Sequence, residues 1–526
     1  MTAPLSQASR TLRVLLEENA LRYGAAAAVL HDGKRISHAR LCEDVAALSA
    51  ALSTRLAPGS RVLLVGGGYP FLLSFLALAA GAGVAVPADT AMSAEALTAL
   101  AGKVDATAVL YAPEAAERVV GLSVPTALSL AELPRLVEEG RAALLAGAPA
   151  CQPRALDADD VAAIFDTEAG SVLLSHRNLL TVLTDAARMQ RLTCADRALS
   201  VLPLSRVESL LLGVLLPLMK GVPVAFAEHT NRLLCAMRAT RPTYMAVTPL
   251  LARAILKKYR ETVSKNGLEG EVRRIIALTD PIRPVSAGTV AKRRLLAATY
   301  RPFGGAPQLL VVGGILDSET KKRLAKIGMP TRQAYGAAEC AGLMALDGLC
   351  LPSGTLEICD PQPDGSGEVR YKGDNVALGY YKSDIAVPRN GWFYPGDMGR
   401  MDEAGRLCLI GRRENALRLN ANTVVCPEEL ETLLCESPLV REAAVVALPT
   451  EADGCFELAA VLAVDAAELQ ELDATERLME EWVCHVNEDL PAYKQVALFT
   501  LRAAPLCRNT QGALDRAALT RELMQQ

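Results

Sequence analysis

The chain has 526 residues, of which 51% are hydrophobic and 22% are charged, and its formal net charge is −4. This composition excludes a mostly disordered chain, which would combine low hydrophobicity with a high net charge. No run of five like charges occurs and no basic domain stands out, so the sequence predicts no nucleic-acid partner. The length suits about three to four compact units, or two if one is large.

The cysteines bear on the redox compartment of the protein, and one long uncharged stretch bears on membrane insertion. Thirteen cysteines are scattered from Cys42 to Cys507 without a Cys-x-x-Cys pair, so we expect reduced thiols in a cytoplasmic protein rather than disulfides or a zinc site. The stretch Val62–Val86 carries no charge and is long enough to span a membrane. Because Gly66–Gly68 and Pro70 interrupt it, we expect a buried strand, helix and strand, and no membrane span.

Short apolar strands alternate with amphipathic helices through most of the chain, which predicts α/β layers with largely parallel strands. The predicted strands are Ser60–Val65, Val84–Pro87, Ala106–Tyr111, Val222–Phe226, Tyr244–Val247, Arg274–Leu278 and Gln308–Val312. The predicted helices between them include Leu72–Ala80, Arg232–Ala239 and Leu250–Tyr259.

The pattern changes after Gly354, where strands shorten and turns become dense, which predicts a β-rich subdomain. It changes again near Arg412, so we expect a domain boundary at 411–415. The elements predicted beyond that boundary are strands Val424–Cys426, Glu442–Ala447 and Leu458–Val464 and helices Glu428–Cys435 and Thr475–Glu488.

Eight motifs in a fixed order carry a family resemblance. They are LSHRNLL at 174–180, LPLSRVESLLLGVLLPLMKG at 202–221, VVGGILDSE at 311–319, AYGAAE at 334–339, GYYKSD at 379–384, NGWFYPGDMGRMDEAGRLCLIGRRE at 390–414, VVCPEELE at 424–431 and PAYK at 491–494. Together they resemble the adenylate-forming superfamily of acyl-CoA synthetases, adenylation domains and luciferases. The resemblance covers essentially the whole chain.

The resemblance implies an AMP-binding-like N-terminal domain of residues 1–411, built from layered α/β subdomains and a β-rich subdomain. It also implies a small, mobile α+β lid domain of residues 412–526. Members of the superfamily make an acyl adenylate from ATP and a carboxylic acid with Mg²⁺. A thiol, either coenzyme A or the pantetheine of a carrier protein, then takes the acyl group.

The same resemblance assigns candidate nucleotide-binding residues, namely Gly313, Gly314, Tyr335, Gly336, Glu339, Asp397 and Arg412. Asp397 and Arg412 would hold the ribose, and the Tyr335 ring would stack on adenine. Glycine at 313 and 314 would let the backbone approach the base. Glu339 would bind Mg²⁺ near the phosphates. Glu414 stands at the expected hinge position.

The segment before LSH departs from the superfamily pattern. Members carry Thr-Ser-Gly-Thr-Thr-Gly-x-Pro-Lys-Gly there, and the glycine amides, the hydroxyls and the lysine hold the phosphates. This chain has IFDTEAGSVLLSH at 164–176, which is about four residues short and lacks the Gly-x-Pro-Lys part. Asp166 and Glu168 add carboxylates that would repel a triphosphate. We therefore expect a degenerate phosphate loop.

A second departure lies near the C-terminus, where Ala513 occupies the position of the superfamily's catalytic lysine. Loss of one such charge-stabilising donor costs roughly 10²–10³ in rate. The cations considered as substitutes are Lys494, Arg508 and Arg516. Smaller departures are Ala338 in place of a threonine, Ala421 in place of a glycine, and Arg206 in place of an aromatic or histidine gate. Arg206 has two interpretations, an anion anchor in the acyl pocket or a salt-bridged wall residue.

Three functions are compatible with these residues. The first is a ligase-like protein with impaired ATP-dependent adenylation, which acts on an acyl adenylate or another activated acyl group and transfers it to a thiol or an amine; AMP would bind, and ATP binding is doubtful. The second is a non-catalytic scaffold in a biosynthetic complex. The third is an ordinary acyl-CoA or acyl-carrier-protein ligase with compensating residues. A fatty or aryl acid is favoured over an amino acid, because the LPLS segment lacks an aspartate to hold an α-amine.

Overall fold

The computed structural model describes residues 10–147, 154–227, 232–420, 423–450, 455–465, 472–508 and 514–524. The chain divides into two compact units. The first contains the described residues up to Thr355 together with Lys372–Phe393, and the second contains Leu356–Tyr371 with the described residues from Tyr394 onward. This division assigns part of the β-rich region to the C-terminal unit, and the boundary between 411 and 412 stays a prediction.

The first unit contains a large sheet with a parallel centre. In the part of the chain that the structure describes, its nine strands lie in the spatial order Leu349–Cys350, Ala345–Leu346, Thr331–Tyr335, Gln308–Val311, Tyr244–Val247, Ala198–Ser200, Val224–Phe226, Ala27–His31 and Lys34–Ser37. Neighbours from Thr331–Tyr335 to Ala27–His31 pair in parallel, and the pairings at both edges are antiparallel.

A second sheet of the first unit is also parallel through its centre. Its seven described strands lie in the order Gly379–Tyr380, Ser171–Ser175, Val161–Asp166, Val84–Ala88, Arg61–Val65, Ala108–Tyr111 and Thr126–Ser129. Strands Val161–Asp166 and Ser171–Ser175 form an antiparallel hairpin. The mixed α/β architecture predicted from the sequence is confirmed.

Helices connect and cover these sheets. In the first unit they are Leu12–Tyr23, His38–Ser53, Gly68–Ala77, Ala94–Lys103, Ala116–Val119, Leu133–Leu145, His176–Met189, Val207–Leu210, Leu216–Met219, Leu233–Thr240, Pro249–Lys265, Glu269–Thr279, Val285–Leu295 and Ser318–Lys326. Single π-helical turns occur at Leu78–Ala82 and Leu211–Leu215. Short 3₁₀ turns occur at Pro113–Ala115, Leu130–Glu132, Arg301–Phe303 and Ala338–Cys340.

The uncharged stretch Val62–Val86 folds as predicted into a buried strand, helix and strand. Strands Arg61–Val65 and Val84–Ala88 pair in parallel, and helix Gly68–Ala77 between them buries Phe71 and Phe75 completely. Among the described residues, no helix is both long enough and apolar enough to cross a bilayer.

The prediction of a strand at Arg274–Leu278 is wrong, because these residues belong to helix Glu269–Thr279. Val272 and Thr279 are buried seven positions apart, and Ile275 and Ile276 between them are half-buried, which is helical spacing. The short apolar run Ile275–Leu278 fits either element, since periodicity over a few residues does not distinguish a strand from a helix.

The LSHRNLL motif sets the start of helix His176–Met189. Ser175 Oγ accepts a hydrogen bond from the Asn178 N–H at 3.2 Å, and Asn178 Oδ1 accepts one from the Ser175 N–H at 2.8 Å. This reciprocal cap satisfies backbone donors at the helix start. The Asn178 amide also donates to the Val376 carbonyl at 2.8 Å, which fixes the segment leading to strand Gly379–Tyr380.

The second unit contains three described sheets. Strands Thr355–Cys359, Gly367–Lys372, Asp397–Met401 and Leu407–Arg412 form the first; Leu417–Arg418 and Val424–Val425 form the second; Val440–Pro449, Phe456–Val464 and Val496–Arg502 form the third. Its helices are Pro427–Leu434, Leu472–Glu488 and Arg516–Leu523, with 3₁₀ turns at Arg413–Asn415 and Ala492–Lys494. The β-rich texture predicted after Gly354 is therefore present.

Candidate functional site

The candidate residues of the first unit follow parallel strands in the centre of the nine-stranded sheet. Arg206 comes after strand Ala198–Ser200, Gly313 and Gly314 after Gln308–Val311, and Gly336 after Thr331–Tyr335. Ligands of open parallel α/β sheets bind outside the carboxyl ends of the strands. The sheet thus brings the sequence-predicted residues of this unit to one edge.

A left-handed backbone and a close backbone approach explain two of the glycines at this edge. Gly313 has φ +66°, a conformation that favours glycine, and a Cβ there would lie 3.3 Å from Nη2 of Arg206 and 3.5 Å from Oε1 of Glu208. A Cβ on Gly336 would lie only 2.5 Å from the carbonyl carbon of Gly342, so this position requires glycine for the two loops to meet.

Arg206 is held by a neighbour that the sequence analysis missed. Its Nε donates to Oε1 of Glu208 at 2.7 Å, while its side chain is 59% exposed and that of Glu208 is 14% exposed. Glu208 in turn packs its backbone against Gly342, where an added Cβ would lie 2.9 Å from the Glu208 Cα. The ion pair fixes a guanidinium beside Gly313, at the edge where the candidate loops converge.

Glu339 lies in the turn Ala338–Cys340 and is 8% exposed. Its Oε1 accepts a hydrogen bond from the Tyr380 hydroxyl at 2.8 Å. Burial and this hydrogen bond raise the pKa of Tyr380, so the phenol remains protonated and donates. Tyr335, the last residue of its strand, is half-buried. No group of three or more His, Cys, Asp or Glu side chains is arranged for a metal ion within the described residues.

The segment before LSH, which the sequence predicts to be a degenerate phosphate loop, forms a hairpin with a two-residue turn. Asp166 pairs with Ser171, and the next pair, Thr167 and Gly170, exchanges two backbone hydrogen bonds of 2.9 and 3.2 Å, which leaves Glu168 and Ala169 as the turn. The Thr167 hydroxyl also donates to the Gly170 carbonyl at 2.8 Å.

The two carboxylates of this hairpin differ in their surroundings. Asp166 accepts hydrogen bonds from Lys103 Nζ at 2.6 Å and from Ser171 Oγ at 2.7 Å, so its charge is already compensated. Because of these two donors, Asp166 would repel a phosphate less strongly than the sequence analysis expects. Glu168 is exposed at the turn. Gly170, with φ +155°, lies against Tyr380, since an added Cβ would be 2.7 Å from the ring.

The remaining candidates lie in the second unit. Asp397 begins strand Asp397–Met401 and pairs with Arg412, the last residue of strand Leu407–Arg412. Arg412 Nη1 donates to Asp397 Oδ1 at 2.7 Å, and this bond holds the pKa of Arg412 above its usual range. Glu414, 74% exposed, is 3.6 Å from Arg412 Nε. Asp397 and Arg412 thus form a carboxylate–guanidinium pair next to the predicted hinge.

The three cations considered as substitutes for the missing lysine all contact carboxylates. Lys494 is 2% exposed, and its Nζ lies 2.5 Å from Asp364 and 2.6 Å from Glu429. Arg516 is paired with Glu431 at 2.8 Å and Arg508 with Glu442 at 3.3 Å. Ala421 and Ala513 lie outside the described residues.

The comparison with known proteins identifies the family. The model of the AMP-binding enzyme family matches residues 16–381. This chain belongs to the AMP-binding enzyme family. Feruloyl-CoA synthase from Amycolatopsis sp. is 26% identical over 458 residues, which cover 84% of this chain and 87% of the relative. The chain is thus an adenylate-forming protein similar to acid–CoA ligases.

Solved structures support the same fold. Apo MatB from Rhodopseudomonas palustris superimposes with a TM-score of 0.73 at 20% identity, covering 98% of this chain and 99% of MatB. The o-succinylbenzoate CoA synthetase from Bacillus subtilis, in complex with its acyl-adenylate intermediate, gives a TM-score of 0.66 at 18% identity, with 97% and 98% covered. At these identities the likeness establishes the fold.

Proposed function

We propose that this AMP-binding enzyme binds AMP or an acyl adenylate, transfers the acyl group to a thiol or an amine, and uses ATP poorly. In the transfer to a thiol, the thiol first loses its proton to water, its sulfur forms a bond to the acyl carbon, the bond from that carbon to the phosphate oxygen breaks, and AMP leaves with the bonding electron pair. The observation that carries the proposal is the two-residue turn at Glu168 and Ala169.

The hairpin uses the hydrogen-bond donors of Thr167 and Gly170 internally, so only the N–H groups of the two turn residues remain for a phosphate. The N–H groups of Thr167 and Gly170 bond each other's carbonyls, and the Thr167 hydroxyl bonds the Gly170 carbonyl. Phosphate cradles instead direct several backbone N–H groups at the ligand. The exposed carboxylate of Glu168 adds negative charge where a γ-phosphate would approach.

Candidate residues in each of the two units support binding of the rest of an adenylate. Asp397, with Arg412, offers acceptors for ribose hydroxyls, and Tyr335 offers a ring at a strand end. Mg²⁺ is usually held by one or two carboxylates together with substrate phosphates. Glu339 can supply one such carboxylate, and Mg²⁺ would offset phosphate charge there.

Arg206 is proposed as the cation of the acyl pocket. Its bond to Glu208 and its closeness to Gly313 support this role, because they orient the guanidinium beside the loop that follows strand Gln308–Val311. Arg206→Ala is expected to weaken an acyl-adenylate mimic about tenfold and to leave AMP affinity within twofold, because a charge-assisted hydrogen bond contributes about 1.5–3 kcal/mol. Equal losses for both ligands would contradict a role toward the acyl group.

An ordinary ATP-dependent acid–CoA ligase is the second candidate. It is favoured by the extent of the similarity, since 87% of the feruloyl-CoA synthase is covered by the match. Either function uses a carboxylic acid or its activated form, with coenzyme A or a carrier protein as thiol. We propose that the protein is cytoplasmic, because the described cysteines are free thiols, which suits a reducing compartment.

Calorimetric titration with AMP, a sulfamoyl acyl-adenylate mimic and Mg-ATP tests the proposal, with Asp397→Ala as the binding-defective control. We expect the mimic and AMP to bind at least about tenfold more tightly than ATP, a difference of 1.4 kcal/mol. Thioester formation from supplied acyl adenylate should exceed pyrophosphate exchange with the same acid. Rapid exchange with any acid would establish the ordinary ligase instead, and no binding of any nucleotide would leave only a scaffold role.

A further inference from the structure

Positive charge is concentrated in one region outside the candidate site. Residues 249–295 contain 11 lysine and arginine residues and four acidic residues, a net charge of +7 in a chain whose net charge is −4. They form three consecutive helices, Pro249–Lys265, Glu269–Thr279 and Val285–Leu295. The expectation of no basic region was wrong at this scale, because the cations occur singly or in groups of two or three and form no longer run.

The same three helices expose large aliphatic side chains. The exposed fraction is 74% for Leu250, 66% for Leu278, 69% for Val285, 51% for Val290 and 54% for Leu295. Exposed side chains of this kind occur singly on most surfaces, but these five belong to the same three helices that carry the excess of cations.

Helix Val285–Leu295 has little tertiary reason to be apolar. Of its eleven residues, all described, only Gly288 is buried. A Cβ at Gly288 would lie 3.1 Å from the carbonyl oxygen of Thr279, so this glycine lets the helix pack against the end of helix Glu269–Thr279. The two helices therefore pack through a small residue. The large aliphatic side chains of helix Val285–Leu295 do not take part in this packing and are exposed.

Cationic and aliphatic side chains share helix faces in this region. Arg274 and Leu278 are one turn apart, as are Val290 and Arg294, and all four are exposed. Residues four positions apart on a helix lie on the same side. Part of the charge is compensated within the chain, because Lys292 pairs with Asp280 at 2.5 Å. Other pairs join Arg253 to Asp317 and Lys258 to Glu261.

We propose that the surface formed by helices Pro249–Lys265, Glu269–Thr279 and Val285–Leu295, the basic helical surface, docks on an anionic lipid bilayer. Cations beside exposed aliphatic side chains are the combination that binds headgroups and inserts shallowly below them. A nucleic acid would use the charge and leave the aliphatic side chains in water. The inference does not depend on the reaction proposed above.

Co-sedimentation of the full chain with vesicles tests this docking. We expect binding to phosphatidylcholine vesicles that contain phosphatidylglycerol, weak binding to phosphatidylcholine alone, and loss of binding as salt is raised. Arg274→Glu combined with Arg294→Glu should weaken binding by at least about 30-fold, because each cation near an anionic surface contributes about fivefold. Leu278→Ser combined with Val290→Ser should weaken it about tenfold.

The matched control is Lys34→Glu combined with Arg35→Glu. This exposed pair lies outside the basic helical surface, and its reversal changes the net charge by the same amount. Thermal unfolding midpoints of all variants should agree, which excludes misfolding as the cause. An equal loss of binding in this control would reduce the effect to overall charge and overturn the proposal. Absence of vesicle binding, or binding to RNA in its place, would also overturn it.

Discussion

Removal of the buried ammonium of Lys494 should destabilise the C-terminal unit severely. Its Nζ lies 2.5 Å from Asp364 and 2.6 Å from Glu429, whose side chains are only 13% and 11% exposed. Lys494→Gln would therefore leave two carboxylates close together and largely out of water. Removing one partner of a buried ion pair costs about 3–5 kcal/mol.

Two remaining interactions place the loss near the lower end of that range. Arg400 stays 2.5 Å from Glu429, and the Ser366 hydroxyl still donates to Asp364 at 2.6 Å. The Ser366 N–H also donates to Asp364 at 3.0 Å, so each carboxylate keeps at least one donor, and we expect Lys494→Gln to lower the free energy of unfolding of this unit by about 3 kcal/mol.

Urea unfolding followed by tryptophan fluorescence measures this loss. The chain has two tryptophans, so Trp392→Phe leaves Trp482 as the reporter of the second unit. Trp482 suits this use because its indole N–H bonds the Leu434 carbonyl at 3.2 Å. The control is Arg508→Gln, whose side chain is 49% exposed and 3.3 Å from its partner, and which should cost less than about 1 kcal/mol.

The reasoning has two points at which it can fail. A loss for Lys494→Gln no larger than that for Arg508→Gln would mean that the buried pair contributes nothing. The double variant Lys494→Gln with Asp364→Asn should recover part of the stability, because one uncompensated charge is removed with the lysine. No recovery would show that lost side-chain packing, rather than charge, causes the destabilisation.

Three further results are expected. Tyr380→Phe should lower stability by about 1–3 kcal/mol in thermal unfolding, because the buried carboxylate of Glu339 loses a donor; an unchanged midpoint would contradict this. Gly170→Ala should destabilise the first unit by about 1–3 kcal/mol through contact with the tyrosine ring, more than Gly33→Ala, which shares a positive φ but meets no atom within 4 Å. Burial favours a raised pKa for Asp364, but its lysine partner and Ser366 lower that pKa to about 2. The stability this charge contributes is therefore present above pH 3.8 and lost as pH falls toward 2, so the difference between wild type and Asp364→Asn in acid titrations should shrink over that range.

Local patterns in the sequence were sufficient for most of the fold. The apolar runs at Tyr244–Val247 and Gln308–Val311 are flanked by turn residues and pair as parallel strands, as expected for a sheet buried on both faces. The failure at Arg274–Leu278 has a physical origin, since the helix there exposes Ala277 and Leu278 that a buried strand would have covered. An apolar residue that serves a surface cannot be distinguished from a core residue by hydropathy.

The contacts that organise the candidate site join residues far apart in the chain. Tyr380 reaches Glu339, Lys103 reaches Asp166, and Lys494 reaches Glu429. One sequence without its relatives carries no signal for such pairs. The pairing of Arg206 with Glu208 could have been predicted from the sequence, because a carboxylate two residues after an arginine at a predicted helix start is a plausible partner. The candidate nucleotide-binding residues were predicted from the order of the motifs alone.

The pairing of cations with carboxylates in both units bears on the proposal that this protein uses ATP poorly. A polyphosphate gains affinity from cations that exchange water for phosphate. Lys103 in the first unit, and Lys494 and Arg516 in the second, already contact Asp166, Asp364 and Glu431. Turning any of them toward a phosphate would exchange one anion for another and leave a carboxylate uncompensated, so the net Coulomb gain would be small. These paired cations are therefore unfavourable replacements for the missing lysines, which supports the proposal that the protein uses ATP poorly.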